Sequence, residues 1–229
     1  MEALKEILIK NEWFTKQEVE ELFTSEIQKC IKECSRPNQS DIFNAFDGLK
    51  PQDVKVLIIG QDPYPDKKGN KVAHGLAFSS KSAYCPTSLQ KIFAEIESEY
   101  GKRDFKSNDL TCWKKQGVLL LNTALTYSEN KSLDERLKIW KPFVMHIISK
   151  LLNYKQPLVI MLWGKKTQKL FRSIDINNNL LILKSSHPQA RRKDNTFFSC
   201  NHFKECNKFL ETKKCKPIEW RKTYEVKEV

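Results

Sequence analysis

Three side chains able to do chemistry each stand just past an apolar run. Asp62 follows Val56, Leu57, Ile58, Ile59 and Gly60; Asn122 follows Val118, Leu119, Leu120 and Leu121; His187 follows Leu180, Leu181, Ile182 and Leu183. A carboxylate can stabilise positive charge or orient a water, an amide can donate and accept at once, and an imidazole can donate to a developing anion. Tyr64 and Phe78 lie close by in sequence as aromatic surfaces, with Gln61 beside Asp62. Taken singly, each has a plain structural reading: Asp62 before Pro63 as a turn residue, Asn122 as a strand-end turn, His187 before Pro188 as a loop histidine, Tyr64 and Phe78 as core. Only the elements that carry them can bring them to one place.

Those elements read as alternating strands and helices. The runs at 54–59, 117–122, 157–164 and 180–188 are short and rich in branched apolar residues, which fits buried strands of a parallel sheet. Open parallel sheets collect ligands at the carboxyl ends of their strands, so Asp62, Asn122 and His187 fall on one rim. Residues 1–34 read as two helices, with stripes at Leu4, Ile7 and Leu8 and then at Val19, Leu22, Phe23, Ile27 and Ile31; Thr15 and Glu18 form a capping box opening the second. Thr87 and Gln90 read as another capping box, starting a helix through Ile92, Phe93, Ile96 and Tyr100. Ser88 lies in its first turn, where free N–H groups can take a phosphate. Helical stripes then run through Leu133, Leu137 and Trp140 and through Val144, Ile147, Ile148 and Leu151, with Pro142 in a first turn of the second. The expected fold is α/β, in three layers, with a central four-stranded parallel sheet flanked by helices.

The 229 residues carry 40 Lys+Arg against 28 Asp+Glu, a formal +12 that suits a polyanionic partner or simply a solvated basic surface. Seven cysteines at 30, 34, 85, 112, 200, 206 and 215 form no CxxC pair, which gives neither a zinc framework nor a disulfide one and points to a reducing compartment. No apolar stretch approaches a membrane span of about 20 residues. No GxGxxG or GxxxxGK[ST] follows a strand, which weakens a nucleotide-binding reading.

Taken together and in order, these stretches carry a resemblance. Gly60-Gln61-Asp62-Pro63-Tyr64, residues 73–79 (Ala-His-Gly-Leu-Ala-Phe-Ser), residues 117–122 (Gly-Val-Leu-Leu-Leu-Asn) and Ser186-His187-Pro188 resemble the motifs of family 1 uracil-DNA glycosylase, and weaker matches extend the likeness over about residues 53–220. The resemblance implies a single glycosylase domain across 1–229, with 1–41 as its helical N-terminal part. It implies hydrolysis of the bond joining uracil to deoxyribose in DNA, the first step of base-excision repair, with no metal or organic cofactor. Asp62 and His187 would be catalytic; Gln61, Tyr64, Phe78 and Asn122 would bind uracil; Ser88, Gln189, Arg191 and Arg192 would contact DNA. The implied partners are uracil-containing DNA, single- or double-stranded, and a proteinaceous glycosylase inhibitor, with the protein a monomer acting inside a cell or virus-infected cell and not secreted.

The chain departs from the family pattern at three places. Pro65 stands where a His usually follows the Tyr, and the loop beyond it is longer, with Lys67 and Lys68. The proline-rich loop before Ser88 is reduced to Cys85-Pro86. Gln189-Ala190-Arg191-Arg192-Lys193 replaces a segment that carries an apolar wedge, so Arg191 either stacks into the gap left by a flipped nucleotide or adds to the basic face. A second reading therefore stands beside the enzyme: a DNA-binding adaptor on the same fold that tethers a polymerase or other replication partner.

Overall fold

The structure, a computed structural model, describes residues 1–67, 69–102, 107–172, 177–191 and 196–223. Its centre is a four-stranded, all-parallel sheet of β1 (Val56–Gly60), β2 (Val118–Asn122), β3 (Leu158–Trp163) and β4 (Leu180–Ser185), in the order β2-β1-β3-β4. All residues of β1, β2 and β3 are buried, which is why they read as unbroken apolar runs and not as alternating ones. The chain leaves β1 for β2 on one side, while β3 and β4 lie on the other. The crevice between the carboxyl ends of β1 and β3 is thus the switch point where such sheets bind ligands.

Around the sheet run α1 (Glu2–Lys10), α2 (Lys16–Leu22), α3 (Ser25–Lys32), α4 (Thr87–Tyr100), α5 (Thr111–Lys114), α6 (Leu133–Asn153), α7 (Lys165–Lys169) and α8 (His202–Thr212). One core cluster reaches from Leu4 to Trp220. Phe14, Phe23, Phe43, Phe46, Trp140 and Phe143 pack into one aromatic group, and Trp113, Trp163, Phe197, Phe203 and Trp220 into another. Among the described residues no helix is long and apolar enough to cross a membrane.

Three helix assignments differ from the sequence reading. The second N-terminal stripe is split: Phe23 ends α2, and Thr24, whose hydroxyl accepts from the Ile27 N–H at 3.3 Å, starts α3. The capping box of Thr15 and Glu18 is present. Thr87 and Gln90 form no such box, because Pro86 holds the N-cap position and Thr87 is already helical; the Gln90 amide instead donates to the Cys85 carbonyl at 2.7 Å. Pro142 does not open a helix but lies inside the 21-residue α6, where it leaves one carbonyl without its helical donor. Burial of Trp140, Phe143, Val144, Ile147, Ile148 and Leu151 on both sides of that interruption holds α6 together, and its start is a box of Ser132 and Glu135 that the periodicity did not reveal.

Candidate active site

The β1–β2 register places Gly60 beside Asn122. A Cβ at Gly60 would come within 2.3 Å of Asn122 Oδ1 and 2.9 Å of Ala77 Cβ, so only glycine leaves room for that carboxamide. Just beyond, the Gln61 carbonyl accepts from Thr123 Oγ1 at 2.8 Å and the Ala124 N–H at 2.9 Å, which ties the two strand ends together. Asn122 is 8% exposed. Its side chain is presented by a fixed backbone rather than by a loop.

Phe78 reaches the same place by a different route. The Ala77 N–H donates to the Leu120 carbonyl at 3.0 Å, laying this segment along β2. Gly75 (φ +84°) passes so close to Asp41 that a Cβ would sit 1.8 Å from its carbonyl oxygen. Ser79 Oγ bonds His74 Nε2 at 2.7 Å and accepts from the Leu110 N–H at 2.8 Å, and burial keeps His74 below the ordinary histidine range. Between these anchors Phe78 adopts φ 62°, a left-handed conformation unusual for a bulky residue, of the kind found at functional sites. Its ring centroid lies 5.4 Å from Trp163 and 6.1 Å from His187.

His187 follows β4 in a loop whose base is closed by two reciprocal bonds, Ser186 N–H to Thr196 Oγ1 and Thr196 N–H to Ser186 Oγ, both 2.9 Å. The Gln189 N–H points at His187 Nδ1 at 3.1 Å. That makes Nδ1 the acceptor, so the neutral ring carries its proton on Nε2. Burial, and then the Lys91 charge, lower its pKa from the ordinary value. The neutral donor is the favoured state.

Gln61, Asp62, Tyr64, Phe78, Ser88, Asn122, His187 and Gln189 all line one cavity of about 460 Å³, together with Gly60, Pro63 and Pro65. Ser88 enters it as an internal support: it is 1% exposed, and its Oγ lies 2.5 Å from the Tyr64 hydroxyl. Burial raises the Tyr64 phenol, which remains a neutral hydroxyl. Arg191 is not brought into this cavity. It is exposed and lines a neighbouring cleft with Lys165, Lys184 and His187. Arg192, Lys193 and Lys68 lie outside the described residues.

Sequence reasoning missed one side of the cavity. Arg36 and Tyr127 line it, joined by an antiparallel bridge, and the Arg36 guanidinium carbon lies 3.4 Å from the centre of the Tyr127 ring. Arg136, on the first turns of α6 and 4% exposed, places Nη1 at 3.2 Å from Asp62 Oδ2. Nothing in its neighbourhood distinguishes it from an ordinary surface arginine of an amphipathic helix. Glu95, Glu99 and Cys200 bring ligand atoms within 4.8 Å of one another. The two carboxylates, however, are occupied by backbone N–H groups at the start of α8: Glu95 by Ser199 and Asn201, Glu99 by Phe203 and Lys204.

Comparison with known proteins agrees with this geometry. Residues 46–211 match the model of the uracil DNA glycosylase superfamily. A uracil-DNA glycosylase of Amoebophilus asiaticus is 44% identical over 185 residues, covering 80% of this chain and 82% of that protein. One of Mycoplasmopsis pulmonis is 35% identical over 213 residues, 91% of this chain and 95% of the other. Among solved structures, mimivirus uracil-DNA glycosylase superposes with a TM-score of 0.72 at 27% identity over 96% of this chain and 86% of that one. A mimivirus UNG variant in complex with UGI gives 0.78 at 26%, over 96% and 88%. The strand-end cavity is therefore seated on a shared fold, and the chain belongs to the uracil-DNA glycosylase family.

Proposed function

We propose that the protein hydrolyses the N-glycosidic bond between uracil and deoxyribose in DNA, releasing uracil and leaving an abasic site, the opening step of base-excision repair. The observation that carries this reading is the meeting of Asp62, Asn122, His187 and Phe78 in one cavity at the carboxyl ends of the strands. A base inside a duplex cannot reach such a cavity, so the nucleotide is flipped out, at a cost of a few kcal/mol in unstacking. Phe78 then offers a flat apolar face. The Asn122 amide donates to uracil O4 and accepts from N3–H, a pattern that cytosine reverses. Tyr64, propped by Ser88, fills the space beside C5 where thymine carries its methyl group.

In the reaction the C1′–N1 bond breaks with its electron pair going to uracil, and a water oxygen bonds to C1′. Positive charge grows on the sugar and negative charge on uracil O2. Asp62 stabilises the first and orients the water; the Nε2–H of neutral His187 donates to the second. A single preorganised donor of this kind is worth roughly 2.7–4 kcal/mol in the transition state. No step calls on a metal.

The names of the relatives favour this enzyme over a tethering adaptor. Uracil-containing DNA is the partner, in keeping with the +12 formal charge. A proteinaceous inhibitor is a further one, since a mimivirus UNG variant is in complex with UGI. Seven cysteines with no CxxC pair support an intracellular setting, and the protein acts there as a monomer.

The test is formation of abasic sites on an oligonucleotide with one uracil, in the presence of chelator. Wild-type protein should cut it, while Asp62→Asn and His187→Ala each lower single-turnover cleavage by about a hundredfold or more with binding largely kept. Absence of abasic sites with the wild-type protein overturns the reading, and activity lost in chelator and restored by zinc overturns the metal-free mechanism.

A further inference from the structure

The carboxylate assigned to the sugar is held by a cation from a distant part of the chain. The turn that bears Asp62 is poor in donors, because Pro63 and Pro65 have no backbone N–H. From within it, only the Gln61 side chain approaches, at 3.4 Å from Oδ1. The other oxygen, Oδ2, takes its hydrogen bond from Arg136 Nη1 at 3.2 Å. That same nitrogen lies 3.3 Å from the Thr126 carbonyl, and the guanidinium carbon is 4.6 Å from the centre of the Tyr127 ring, against which Arg36 also lies. Three separate contacts thus fix the plane of Arg136.

Fold stability alone gives little reason for an arginine there. The side chain is buried, its Nε has no hydrogen-bond partner among the described residues, and a cation near a helix N-terminus opposes the helix dipole. A buried ion pair is weak evidence for stability, since desolvation can outweigh the attraction. The first turn of α6 already offers Asp134 and Glu135 as acids, yet the ion pair of Arg136 among the described residues is with Asp62, 74 positions away.

We infer that Arg136 is a positioning residue for Asp62: it engages Oδ2 from the Tyr127 side, fixes the rotation of the carboxylate, and thereby aims Oδ1 into the cavity toward the sugar and its attacking water. Its positive charge opposes the developing charge on the sugar, so its contribution is orientation and not electrostatic stabilisation. The geometry calls for a planar fork resting on a ring; lysine keeps the charge but not the plane. This inference rests on the role given to Asp62 above.

A double-mutant cycle separates the two claims. Single-turnover cleavage and substrate binding are measured for Asp62→Asn, Arg136→Met, Arg136→Lys and the two combinations with Asp62→Asn. Arg136→Met should lower cleavage by about tenfold or more with binding changed less than about twofold, Arg136→Lys should fall between it and wild type, and either change should add less than about twofold once Asp62 is Asn. Equal losses with and without the Asp62 carboxylate, or no loss at all, overturn the positioning role. Near-wild-type cleavage by Asp62→Asn overturns instead the role of Asp62 itself. Should Arg136→Met not fold, judged by its thermal melt, Arg136→Lys carries the same cycle.

Discussion

The two walls of the cavity are built by different means. On one, Gly60 and Asn122 stand opposite each other on the paired strands β1 and β2, and His187 follows β4, which is paired along its length with β3. On the other, Arg36 from the segment after α3 and Tyr127 from beyond β2 meet through a ring contact and the backbone bonds of Ser35 and Arg36 to Tyr127, with Arg136 of α6 packed against the Tyr127 ring and bonded to Asp62. The first wall is backbone-determined and has little freedom to move. The second depends on long side chains from separate elements, held by ring contacts and by a few hydrogen bonds rather than by a strand ladder. Substrate discrimination therefore rests on the first wall, and the adjustment of Asp62 on the second.

The sharpest test of that division is a single methyl group. Gly60→Ala puts a Cβ 2.3 Å from Asn122 Oδ1 and 2.9 Å from Ala77 Cβ, so the Asn122 carboxamide must leave its place. Uracil excision should fall by about a hundredfold, because the amide loses its place while the sheet survives. Circular dichroism and melting check the fold, and gel assays check the rate. A variant that folds and excises uracil at near-wild-type rate shows the strand ends to be less rigid than the comparison requires.

A smaller effect is expected where the walls join. Tyr64 sits between two prolines on the β1 side but is propped by Ser88 from α4. Tyr64→Ala should lower uracil excision by roughly tenfold and admit thymine, since the space beside C5 becomes open. Release of thymine from a T·G oligonucleotide is the measurement. If the folded variant cuts uracil and leaves thymine untouched, the steric gate belongs to another residue.

The same contrast explains what could be read from the sequence. Strand-end residues announce themselves: an unbroken apolar run followed within a few residues by a polar side chain places Asp62, Asn122 and His187 on one rim from the sequence alone. The second wall has no comparable signal. Arg136 is one charged residue in an amphipathic helix, and its burial follows from a carboxylate far away in sequence. Ser88 illustrates the intermediate case, since its position on the first turn of α4 was legible but its hydroxyl's engagement with Tyr64 was not. Helix boundaries failed where tertiary packing overrode local pattern, as at Pro142, which a long buried face carries through.

The smallest effect belongs to Arg191, which lies outside both walls. From the sequence it could either fill the gap left by a flipped nucleotide or meet phosphate. The structure leaves it exposed, in a cleft shared with Lys165 and Lys184, and this company of cations matches a strand's backbone better than a stack of bases. A wedge acts only on a duplex that must be held open, whereas a phosphate contact acts on any strand. Arg191→Ala should therefore weaken binding to single-stranded and duplex uracil DNA by similar, few-fold factors, and the slope of log affinity against log salt should fall by about one. Removal of one rim charge leaves the chemical step alone, so the single-turnover rate at saturating protein should not change. A loss confined to the duplex, with an unchanged salt slope, would restore the wedge and place a working part of the enzyme beyond the cavity's two walls.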